Sequence, residues 1–95
     1  MRLTEKEVKI IKKSVFTLFG KRKIVLFGSR VDDKKKGGDI DLCIEMDKKV
    51  LLKDKLKLLV LLEKEGIERK VDIIFKYPDS KENIFQTIDK IGVVL

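Results

Sequence analysis

Asp39 and Asp41 flank a single apolar residue, Ile40, at the entrance to an apolar run. In an extended strand side chains alternate between faces, so the two carboxylates project together while Ile40 and Leu42 point the other way. Adjacent carboxylates repel, and one would be driven toward its protonated form unless a cation sits beside them; a divalent ion such as Mg²⁺ lets both stay ionised. A third acid, Asp72, lies within Val71-Asp72-Ile73-Ile74-Phe75. Alternation there places Val71, Ile73 and Phe75 on one face and Asp72 on the other, so a neighbouring strand would complete a three-carboxylate cluster. Nine residues, 30–38, separate this pair from a Gly28-Ser29 turn. Glycine lets backbone approach a phosphate closely, and N–H groups with the Ser29 hydroxyl at a helix start can donate to anionic oxygens. Phosphoryl or nucleotidyl transfer through two metal ions needs this combination: carboxylates that hold the ions and a donor cradle for the leaving phosphates.

Each part has a plainer use. Gly-Ser is a common strand-to-helix turn, and an Asp-x-Asp pair can be a charged strand edge that discourages aggregation. The fixed spacing of turn and pair, the apolar strand that follows, and the third acid together carry the functional reading. Arg30 could clamp a phosphate or lie on the surface of a short helix. Cys43 shares a strand face with the aspartates but has no histidine to activate it, which favours a small buried residue over a nucleophile. Lys34-Lys35-Lys36 borders the turn and reads first as a solvated loop, with contact to a nucleotide or nucleic acid as the alternative. Asp32, Asp33, Glu45 and Asp47 read as surface charges.

Composition narrows the setting. A chain of 95 residues has room for one compact domain, 1–95, and excludes a large bilobed enzyme. With 43% hydrophobic and 41% charged residues it belongs with folded chains, and with no Trp its core must be aliphatic. The single Cys43 forms no internal disulfide, the N-terminal residues lack an apolar leader, and no apolar run reaches the roughly 18 residues of a membrane span; a cytoplasmic setting is expected. The chain has no histidine, so acid–base and metal chemistry must rest on carboxylates. A net charge of +7 permits an anionic partner, although a lysine-rich, isoleucine-rich composition can equally reflect genome bias or heat adaptation.

The elements that would position these residues alternate. Thr4 and Glu7 form a capping box for a helix over about 4–19, in which Val8, Ile11, Val15 and Leu18 recur at helical spacing. Residues 23–27 read as a strand feeding the Gly28 turn, Ser29 would cap a short helix, and residues 39–46 form the strand bearing the aspartates. A helix between 49 and 66 lines one face with Leu52, Leu56, Leu59 and Leu62, with Leu51 and Leu58 beside them and Gly66 as its stop. Val50 and Leu61 fall off that face and, with Val93-Val94-Leu95, are candidates for a partner or dimer surface. Residues 69–76 form a third strand, and Pro78, Asp79 and Ser80 break the chain and cap a last helix carrying Ile84, Phe85 and Ile88, ending near Gly92. The expected fold is α/β (α+β), a small mixed three-stranded sheet flanked by helices in the order αβαβαβα.

The strand, Gly28-Ser29, loop, Asp39-Ile40-Asp41 and later Asp72 together resemble the polymerase-β-like nucleotidyltransferase superfamily over nearly the whole chain. The short length, the FGSR turn and the GGDIDL strand look most like its minimal nucleotidyltransferases (MNT), many of which pair as antitoxins with a helical HEPN ribonuclease toxin. The resemblance implies metal binding by Asp39, Asp41 and Asp72, with Asp72 either a third ligand or the acceptor of the attacking hydroxyl's proton. It implies triphosphate binding by Gly28, Ser29 and, less specifically, Arg30. Two Mg²⁺ ions, ATP as donor, a HEPN-type toxin as partner in a hetero-complex or oligomer, and AMP transfer to a tyrosine hydroxyl follow from it. Gly38 departs from the pattern, since relatives often carry serine there. The alternatives are a binding-only antitoxin, and transfer to a small molecule or RNA.

Overall fold

The computed structural model of the protein describes residues 3–28 and 39–95. Ser29, Arg30, the short helix expected after them and the Lys34-Lys35-Lys36 loop lie outside the described residues. The first helix, α1, spans Glu5–Phe19. Its capping box is formed: Thr4 Oγ1 accepts from the Glu7 N–H at 3.0 Å, and Glu7 Oε1 accepts from the Thr4 N–H at 3.0 Å. Two orphan donors of the first turn are thereby satisfied. Three strands follow the expected pattern, β1 (Ile24–Phe27), β2 (Ile40–Glu45) and β3 (Val71–Lys76), with α2 (Leu52–Glu65) between the last two. Helix α3 covers Asn83–Ile91, and a two-residue strand, β4 (Val93–Val94), follows it.

The sheet is mixed, in the order β3-β2-β1-β4. β1 pairs antiparallel with β2 and with β4, whereas β2 and β3 are parallel and joined through α2. A parallel connection needs such a crossover because the chain must return to the end from which β2 began. Its main core lies on one sheet face, where Ile11 and Val15 of α1 and Leu58 and Leu62 of α2 bury Ile24, Leu26, Ile40, Leu42, Ile44 and Ile73. Phe19 meets Phe75 edge-on at 5.9 Å between ring centroids, a favoured aromatic geometry. A smaller cluster lies on the opposite face, with Phe85 and Ile88 of α3 over Val25 and Cys43. No helix among the described residues is long and apolar enough to cross a membrane.

Several sequence expectations change. The buried face of α2 is Leu58 and Leu62, while Leu51, Leu52 and Leu56 are exposed. Apolar residues surround much of this helix, so periodicity alone does not select the stripe that meets the sheet. Val50 and Leu61, proposed as partner-facing, are half-buried instead, and the Val50 N–H donates to the Tyr77 hydroxyl at 3.1 Å. The C-terminal run also builds structure: Val93 and Leu95 pack on the main core, the Leu95 N–H donates to the Ile24 carbonyl at 2.9 Å, and Val94 alone of the three is exposed. β4 thus adds a fourth strand to the three expected. Ser80 does not cap α3 either. Its N–H donates to the Tyr77 carbonyl and its hydroxyl accepts from the Tyr77 N–H, both at 3.0 Å, closing a turn around Pro78-Asp79. α3 begins only after Glu82, which makes no side-chain cap.

Candidate active site

Pairing register arranges the face opposite α1 and α2 into three rows across β1, β2 and β3. Residues directly opposite one another share a face. At one end stand Lys23, Glu45 and Lys76, with Lys23 Nζ 3.4 Å from Glu45 Oε2 and Lys76 Nζ 3.3 Å from Asp89 Oδ2 of α3. The middle row is apolar, pairing Val25 with Cys43 and Cys43 with Ile74, and α3 covers it. At the other end Phe27 pairs with Asp41, and Asp41 with Asp72.

The two carboxylates expected to meet from separate strands therefore stand in register on adjacent ones. Neighbouring strands lie about 4.8 Å apart, so these side chains are immediate like-charged neighbours. Gly28 continues β1 beyond Phe27 with φ at +94°. A Cβ built on it would lie 2.6 Å from Asp41 Oδ2 and 3.4 Å from its Cγ. The turn's backbone is thus laid against the Asp41 carboxylate; the positive φ favours glycine, and a Cβ there would displace that carboxylate.

Asp39 is exposed and immediately precedes β2. The Ile40 N–H donates to the Lys70 carbonyl at 2.8 Å, anchoring the strand entrance to the start of β3. Asp39 lies two residues from Asp41, on the order of 7 Å along a strand. Among the described residues no group of three His, Cys, Asp or Glu side chains stands close enough to hold a metal ion. The acids instead form a cross-strand pair with Asp39 farther along the same alternation. Their chemistry fits a hard cation: with no histidine in the chain and Cys43 enclosed in the middle row, the available donors are carboxylate oxygens, the set that Mg²⁺ takes together with water and phosphate oxygens.

Other candidates find different roles. Cys43 is buried. Burial, and after it the negative charge of Glu45, pushes its thiol up to about 11, leaving it protonated and unreactive near neutrality. Glu45 and Asp47, read from sequence as surface charges, are partners of Lys23 and of Arg22, whose Nη1 lies 3.2 Å from Asp47 Oδ1. Sequence reasoning did not place Phe27 beside the acids. Counting the antiparallel pairing back from Asp41 would have done so once the register was known.

No curated protein matches the chain significantly. A family described as Polymerase beta, Nucleotidyltransferase matches over residues 7–95, from the first turn of α1 through β4. That span contains the turn at Gly28, the strand of Asp41 and the parallel strand of Asp72, and because it takes in nearly all of the mixed sheet with its flanking helices, the chain belongs to the polymerase-β nucleotidyltransferase family.

Proposed function

We propose that this protein is a metal-dependent nucleotidyltransferase that transfers AMP from ATP to a tyrosine hydroxyl of a HEPN-type ribonuclease toxin, and so acts as its antitoxin. The observation that carries the catalytic part is the in-register Asp41–Asp72 pair with the Gly28 backbone laid against Asp41. The pair stands at one end of the sheet face, beyond the band that α3 covers. The partner and acceptor rest on the resemblance of the FGSR and GGDIDL segments to minimal nucleotidyltransferases.

In this reading Asp41 and Asp72, with Asp39 contributed from farther along the strand, would hold Mg²⁺, which would supply neutralisation of the triphosphate charge. Gly28, Ser29 and Arg30 bind the phosphates through backbone N–H groups, the hydroxyl and the guanidinium. Asp72 takes the proton of the acceptor hydroxyl as its oxygen attacks the α-phosphorus. The new P–O bond forms as the bond to the β-phosphate oxygen breaks, and pyrophosphate departs. α3 shuts water and side chains out of the middle row, so the acceptor must approach over the row of Phe27, Asp41 and Asp72.

Transfer of label from α-labelled ATP with Mg²⁺ into a co-expressed helical partner tests the proposal. A labelled partner with wild type and none with Asp41→Asn supports it. Stable association without label in either would overturn the transfer and leave binding alone as the antitoxin activity.

A further inference from the structure

Helix α2 carries a row of exposed apolar residues that the core does not use. Leu52, Leu56 and Val60 follow one another at four-residue intervals along α2 and are 70%, 51% and 63% exposed, with Leu51 at the N-cap 58% exposed. Eight residues of helix carry this row about 12 Å. At 100° per residue the three lie within about 80° of one another, with Lys53, Lys57 and Lys64 along one border and the exposed Glu63 in line with the row at its C-terminal end. Buried Leu58 and Leu62 are on the opposite side, so the exposed row contributes nothing to the core. Isolated exposed apolar residues are ordinary; a continuous helical row with one charged border is a contact surface.

The surface's shape and charge select its occupant. A straight row at four-residue spacing accepts the ridge of another helix. Its border is lysine in a chain of net charge +7, so a second copy would bring the same lysines and the same net charge toward it. We infer that the Leu52–Leu56–Val60 row is the docking face for an acidic amphipathic helix of a partner protein, its leucine-type side chains set between these residues and its carboxylates along Lys53, Lys57 and Lys64. α2 packs on the sheet face opposite Asp41 and Asp72, so a helix seated there lies on the other side of the sheet from the acidic pair. The inference does not depend on nucleotidyl transfer.

Two labelled helical peptides test it by fluorescence anisotropy with the full chain, each with leucines at four-residue spacing, one bordered by glutamates and the other by lysines. The glutamate peptide is expected to bind, and to bind at least tenfold more weakly to Leu56→Ser and to Lys53→Glu/Lys57→Glu. Both variants alter exposed positions and should melt as wild type does, and the two act through different chemistry, so a folding defect in one leaves the other informative. Equal binding of both peptides, or binding of neither, overturns the inference. So does a wild-type dimer in sedimentation that Leu56→Ser dissolves, which would assign the row to a second copy.

Discussion

The two faces of one sheet carry different work. On the α1–α2 face β1, β2 and β3 contribute buried aliphatic residues, among them Ile24, Leu26, Ile40, Leu42, Ile44 and Ile73, and charge is absent from the strand positions. On the other face the same strands carry an ion-paired row, an apolar row beneath α3 and the acidic row of Asp41 and Asp72. A two-helix layer can cover a full sheet face, while a nine-residue helix covers only a band of it. Among the described residues, the ends of that face lie beyond α3 and carry the groups that burial would neutralise. Stability and chemistry are divided by face in this molecule, with alternate residues of each strand serving one or the other.

The sharpest test of that division is Asp41→Asn. Nucleotidyl transfer should fall by on the order of a thousandfold, equivalent to about 4 kcal/mol of barrier, while urea unfolding stays within about 1 kcal/mol of wild type. Loss of the fold with the activity would break the comparison. The reciprocal change, Leu42→Ala on the covered face, should lower unfolding free energy by about 2–5 kcal/mol, since Leu42 is wholly buried in the main core, paired between Leu26 of β1 and Ile73 of β3.

Cys43 probes the band beneath α3. Its thiol is raised from 9.0 to about 11 in the fold, so between those values the unfolded chain releases a proton that the folded chain keeps. Stability from this group is therefore complete below pH 9 and declines as pH rises toward 11, by up to about 3 kcal/mol. The pH dependence of unfolding for wild type minus that for Cys43→Ala should isolate this decline from the titration of lysines. A flat difference would mean the band is wetter than its packing indicates.

Gly28→Ala should cost about 1–2 kcal/mol of stability, because a Cβ meets the Asp41 carboxylate and the residue holds a positive φ. Nucleotide affinity, read by titration with a fluorescent ATP analogue, should fall alongside. The smallest effect is expected at the charged end: the Lys23–Glu45 pair is well exposed, and a double-mutant cycle with Lys23→Met and Glu45→Gln should return less than about 1 kcal/mol, decreasing with salt.

Much of this arrangement follows from local pattern. The Thr4/Glu7 box, the stops at Gly20 and Gly66 and the alternation in β2 and β3 depend on a few neighbouring residues, so the sequence alone determined where α1 begins, which strand residues enter the core and which face carries Asp41 and Asp72. The acids and the glycine turn were legible for the same reason, since a strand's two-residue period places carboxylates on a common face wherever the strand lies. Pairing distance is different. That Asp41 stands beside Asp72 and Phe27, that residues 93–95 close onto β1, and that α2 buries Leu58 and Leu62 while exposing Leu52 and Leu56 were settled by tertiary structure. A helix that is apolar over most of its circumference can be turned several ways at similar hydrophobic gain, and only the shape of the sheet and of α1 against it selects one.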